Sequence, residues 1–295
     1  MINKVFYILD VFAEGKYTGN QLAVVRNAGG LSESDMQKIA KEMNFSETTF
    51  IESDEEQEGG YNVRIFTPEA EVPFAGHPTL GTAYLIQQEI INEPVEKVTL
   101  NLKIGLIPVT FKYRGERVTE MFMKQNPPTF GATFEAEPIA EILDIKPSEI
   151  NSKYPIMEVS TGLPFIIVPL KKLDSIKNCR LNEDNFKNFI KNTEAKAFLM
   201  FAPKTYNVEN DLNVRVFAHY YGVPEDPATG SAGGCLTAYL VKHKYFGSSH
   251  VDIRVEQGYE IGRPSLILLK GDGRNDKIDV FVGGKVSLVA KGELL

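Results

Sequence analysis

The 295-residue chain has no tryptophan, only two cysteines and only four histidines. Cys179 and Cys235 cannot make the disulfide framework of a small secreted protein. Together with His77, His219, His243 and His250 they show no metal-ligand spacing, so no metal site is expected. Positive charge is also short: 32 lysines and arginines stand against 39 aspartates and glutamates, a net charge of −7. That balance argues against nucleic acid as a partner, because binding phosphates needs a basic footprint. No apolar run approaches the roughly 18 residues of a membrane span. The apolar start Val5-Phe6-Tyr7-Ile8-Leu9 is broken at once by Asp10, so no signal peptide is read there and a cytoplasmic location is expected. What is present is ordinary for a globular protein, with 43% hydrophobic and 24% charged residues.

The chain does contain a repeat that spans nearly its whole length. Gly19-Asn20-Gln21-Leu22-Ala23-Val24-Val25 answers Gly162-Leu163-Pro164-Phe165-Ile166-Ile167-Val168, and Leu31 to Lys41 answers Leu181 to Lys191. Asn62-Val63-Arg64-Ile65-Phe66 answers Asn213-Val214-Arg215-Val216-Phe217, and Val72-Pro73 answers Val223-Pro224. After a short insertion, Ala83-Tyr84-Leu85 answers Ala238-Tyr239-Leu240. So many matches in one order read as duplication, with each half a domain. The expected halves are residues 1–127 and 128–295, joined near the turn residues Gln125-Asn126-Pro127-Pro128-Thr129, with the final strand free to return to the first domain.

Each half shows strands, an amphipathic helix, more strands and a second helix. In the first half Met36, Ile39, Ala40 and Met43 mark one helical face, and Ser32 with Asp35 gives the capping signal. The second helix, roughly Pro78 to Ile90, begins without a charged face, as does its counterpart Ser231 to Val241. A helix apolar all round is buried, so each half is expected to wrap strands around one central helix. Gly76 or His77 is expected to cap the first, with Pro78 at its first position, and Ser231 to cap the second. Unpaired N–H groups and partial positive charge make a helix N-terminus an anion site. Two such ends facing one interdomain cleft would hold a small carboxylic acid.

Several motifs resemble the PhzF-like family of phenazine-biosynthesis isomerases. They are Asp10-Val11-Phe12 with Gly19-Asn20-Gln21-Leu22-Ala23-Val24, then Asn44-Phe45-Ser46-Glu47-Thr48, then Phe66-Thr67-Pro68 through Pro73-Phe74-Ala75-Gly76-His77-Pro78-Thr79. Asp226-Pro227-Ala228-Thr229-Gly230-Ser231-Ala232 and Gln257-Gly258-Tyr259 continue the match. The resemblance implies an α+β, diaminopimelate epimerase-like fold: two pseudo-symmetric domains, each a β-barrel around a central helix, in a homodimer. It implies an isomerase that moves a proton and a double bond in a small carboxylic acid without a cofactor. Relatives that racemise amino acids use a cysteine at each helix turn. Here Ala75 and Thr229 stand just before Gly76 and Gly230, so a two-thiol mechanism is not expected.

The resemblance assigns proton transfer to Glu47 and gives matching polar roles to His77, Asp226 and Ser231. If Glu47 is buried, its raised pKa would let it take and return a proton near neutrality. His77 is either a helix-capping residue or a partner for a substrate substituent or for an intermediate's charge. Asp226 is either a turn residue or the group that binds a substrate amine or hydroxyl, or orients His77. Ser231, with the N–H groups of Ala232 and Gly76, would hold the substrate carboxylate. Asn20, Gly19 and Gly230 shape the backbone or line the edge of the site. Arg64 and Arg215 occupy equivalent positions and either pair with carboxylates or bind a substrate acid. Two readings compete with the isomerase: a metabolite-binding protein without catalysis, and an amino-acid epimerase that uses Glu47 in place of thiols.

Overall fold

The computed structural model describes residues 4–275 and 277–295. The chain divides into two compact units, Met1–Met123 with Gly283–Leu295, and Lys124–Val282.

The first unit opens with β1 (Lys4–Val11) and β2 (Asn20–Val25), then α1 (Glu33–Met43). As the sequence signal requires, Ser32 caps α1 by accepting the Asp35 N–H. Strands β3 (Thr48–Ile51), β4 (Tyr61–Phe66) and β5 (Glu71–Val72) precede α2 (Gly76–Ile86). A π turn, Gln87–Ile91, continues α2. Then follow β6 (Lys97–Leu102), β7 (Gly105–Arg114) and β8 (Arg117–Lys124). The C-terminal strand Val286–Leu294 pairs antiparallel with β1. From there the ladder runs antiparallel to β2, parallel to β3, antiparallel to β4, parallel to β6, then antiparallel to β7 and β8. Helix α2 packs against β1, β2, β3, β6, β7 and the C-terminal strand, so it is the core the strands surround. Its burial follows from its composition: no charged side chain would have to leave water.

The second unit repeats that plan. Strand β9 (Thr129–Phe134) leads to α3 (Ala136–Leu143), β10 (Ile156–Ser160) and β11 (Pro164–Pro169). Helices α4 (Leu173–Asn178) and α5 (Glu183–Phe189) precede β12 (Phe198–Ala202) and β13 (Leu212–Phe217). Helix α6 (Gly230–Lys242), β14 (His250–Gln257), β15 (Ser265–Arg274) and β16 (Lys277–Gly284) complete it. The ladder β9, β10, β11, β12, β13, β14, β15 follows the same sequence of antiparallel and parallel steps as the first unit. Even α5 has its counterpart's cap, with the Asn182 side chain accepting the Asn185 N–H.

Candidate active site

In the first unit, Glu47 lies one residue before β3. The buried hydroxyls of Thr49 on β3 and Thr82 on α2 are hydrogen bonded at 2.8 Å, which ties the strand to the helix. Alternate strand residues share a face, so Glu47 faces α2 as Thr49 does. Two strand residues cover about 6.6 Å, and the five helical residues from Thr82 back to His77 about 7.5 Å. The carboxylate and the imidazole therefore meet, with His77 Nε2 3.4 Å from Glu47 Oε2. The helix can lie this close to the sheet because residue 81 is glycine. A Cβ there would fall 2.5 Å from Leu22 and 2.8 Å from Val11.

His77 is buried, and burial lowers its pKa to about 3, against the pull of the Gln21 backbone, which favours the protonated ring. The ring is thus neutral at working pH, and its contact with Glu47 is one between an imidazole and a carboxyl group rather than an ion pair. Its Nε2 is buried without a hydrogen-bond partner. Asn20 is buried at the first residue of β2, opposite Val11. The glycine before it is obligatory: Gly19 has φ +71°, and a Cβ would approach the Val11 carbonyl to 2.3 Å.

The start of α2 differs from the sequence expectation. Ala75 occupies the cap, Gly76 is the first helical residue, His77 the second and Pro78 the third. Ala75 has no side chain that can cap, which leaves the first-turn N–H groups without a side-chain acceptor from that position.

In the second unit the cap of α6 is Thr229, not Ser231, which lies in the first turn with Gly230 and Ala232. Thr229 does not cap with its hydroxyl either. That hydroxyl donates to Asp226 Oδ2 at 2.5 Å and accepts from Gln257 Nε2 at 2.9 Å. Gln257 also donates to the Asp226 carbonyl at 2.8 Å, and its Oε1 accepts the Thr229 N–H at 3.1 Å. Asp226 is thus fixed by a side chain on β14, a residue matched in sequence but given no role there. The fourth member of the knot is Gly258, at φ +78°, where a Cβ would lie 2.6 Å from the Pro227 carbonyl.

The structure brings Glu47 together with His77, and Asp226 together with the first turn of α6. Arg64 and Arg215 serve structure. Arg64 makes a two-bond pair with Glu71, and Arg215 one with Glu225 while also donating to the Ile176 and Cys179 carbonyls. Cys235 is buried inside α6, and burial pushes its thiol up to about 12, so it stays protonated. Among the described residues no group of three or more His, Cys, Asp or Glu could hold a metal ion. Among them too, no helix is long and apolar enough to cross a membrane.

A family model described as phenazine biosynthesis-like protein, PhzC-PhzF, matches residues 9–292. The trans-2,3-dihydro-3-hydroxyanthranilate isomerase of Pseudomonas aeruginosa is 31% identical over 292 residues, covering 97% of this chain and 98% of its own. The crystal structure of the Bacillus anthracis phenazine biosynthesis protein, PhzF family, superposes over 100% of both chains with a TM-score of 0.89 at 28% identity. A hydroxyproline epimerase from Agrobacterium vitis, only 8% identical, has a TM-score of 0.66 over 100% of this chain and 91% of its own, a likeness of fold alone. The fold is the diaminopimelate epimerase-like one.

Proposed function

This chain belongs to the phenazine biosynthesis-like PhzF family of isomerases, and we propose that it moves a proton and a double bond in a small carboxylic acid by general acid/base catalysis, without a cofactor. The observation that carries the reading is the contact of Glu47 with a neutral, buried His77 at the start of α2. Glu47 takes a proton from a carbon next to an unsaturated centre and returns one to another carbon. Its position just before β3 suits both steps, and such a group is worth about 10²- to 10⁴-fold in rate. Burial of His77 favours a hydrogen-bonding role over that of a charged imidazolium. Asp226 takes a substrate amine or hydroxyl. The first-turn residues Gly76, Gly230, Ser231 and Ala232 take the carboxylate, as N–H groups at helix starts do, and Asn20 supports the substrate's edge. The same reading takes the protein as a cytoplasmic homodimer.

The relative's printed substrate supplies the first probe. Proton NMR in D₂O with trans-2,3-dihydro-3-hydroxyanthranilate, then with a panel of small carboxylic and amino acids, is expected to show deuterium at carbon together with a moved double bond. Loss of optical activity with the double bond in place would make the protein an epimerase. Binding without exchange would make it a metabolite-binding protein.

A further inference from the structure

The amide of Gln257 is buried at the end of β14 and makes three hydrogen bonds, all to residues 226–229. Its orientation is settled by its backbone partners: the Asp226 carbonyl needs a donor and the Thr229 N–H needs an acceptor. The amide nitrogen therefore faces the Thr229 hydroxyl, and an amide nitrogen can only donate. The hydroxyl must accept from it, so its single hydrogen is directed to Asp226 Oδ2, 2.5 Å away. Two consequences follow at one turn. Asp226 Oδ2 is held as an acceptor. The oxygen of Thr229, the residue at the capping position of α6, is turned away from the helix, which agrees with the absence of a side-chain cap there.

We propose that Gln257 is a positioning residue that acts through the Thr229 hydroxyl, holding Asp226 as an oriented acceptor and keeping Thr229 from capping the first turn of α6. The effect on substrate rests on the function proposed above. The effect on the turn does not.

The test is amide hydrogen exchange by NMR on the substrate-free protein, with kinetics on trans-2,3-dihydro-3-hydroxyanthranilate alongside. In Gln257→Leu the released hydroxyl is expected to cap the helix and slow exchange at the Ser231 and Ala232 N–H groups about fivefold, the amount that one capping bond of about 1 kcal/mol gives. The double variant Gln257→Leu/Thr229→Val is expected to return to wild-type exchange. In the kinetics, KM rises about tenfold while kcat changes less than threefold. Unchanged exchange in Gln257→Leu, or equal slowing in the double variant, overturns the proposal. Should Gln257→Leu fail to fold, Gln257→Glu replaces it. This nearly isosteric carboxylate still accepts the Thr229 N–H but draws the hydroxyl hydrogen from Asp226. Its KM is expected to rise as in Thr229→Val, with no further rise when the two are combined; additive effects overturn the proposal. Failure of the wild-type protein to convert this compound would count against the proposed function, while the exchange rates, or for Gln257→Glu the hydrogen-bond partner of the Thr229 hydroxyl in its crystal structure, still decide the role of Gln257. A hydroxyl still directed to Asp226 there overturns it.

Discussion

Nε2 of His77 stands 3.4 Å from Oε2 of Glu47, and burial keeps that ring neutral. The tie between Thr49 and Thr82 holds the pair in place from more than one helical turn away.

A buried neutral histidine makes the protein sensitive to acid. With the folded pKa near 3 and the unfolded value near 6.5, the unfolded chain binds a proton that the folded ring refuses between these limits. Stability is therefore intact above pH 6.5 and falls as pH drops toward 3. His77→Gln is expected to remove this contribution, on the order of 2 kcal/mol at pH 4.5. Urea unfolding at pH 7 and pH 4.5 measures it; an equal stability difference between wild type and variant at both values would refute it.

Gly81 sets the distance between α2 and the first two strands. Gly81→Ala places a methyl group 2.5 Å from Leu22 and 2.8 Å from Val11. Overpacking of this kind costs about 1 to 3 kcal/mol. A thermal unfolding midpoint equal to that of the wild type would show that the helix can move aside.

The two equivalent arginines differ in environment. Arg215→Met strands the largely covered Glu225 carboxylate and two backbone carbonyls, a loss of about 3 kcal/mol. Arg64→Met is expected to cost less, because that side chain remains 22% exposed and partly hydrated. Denaturant midpoints of the two variants give the order directly.

Neither cysteine takes part in the proposed chemistry. Burial pushes both thiols up to about 12. Alkylating reagents should leave the native protein unmodified, and Cys179→Ala/Cys235→Ala should keep turnover within about threefold once folded. A loss of 100-fold or more, with the fold intact, would bring a thiol mechanism back.

Much of the fold was legible from the residues because the forces behind it are local or periodic. The apolar stripe of Met36, Ile39 and Ala40 marks α1, Ser32 marks its start, and the lack of charge on Gly76–Ile86 marks a helix that must be buried. The duplication is visible because equivalent strands keep equivalent sequences. The starts of α2 and α6 were misplaced for a physical reason. Capping rules look for a side chain that accepts a first-turn N–H, but Ala75 has none and the Thr229 hydroxyl is held by Asp226 and Gln257. The carbonyl partners of Arg215 and the role of Gln257 come from contacts made by tertiary folding, tens of residues apart, and no local pattern announces them.

The most direct test of the account is deuterium incorporation from D₂O into trans-2,3-dihydro-3-hydroxyanthranilate by wild type and by Glu47→Gln, with thermal unfolding of both as a check on the fold. The account predicts incorporation by the wild type, and incorporation lower by about 10²- to 10⁴-fold in the variant at an unchanged fold. Equal incorporation by the two proteins would contradict it, because the proton would then travel through a group other than Glu47.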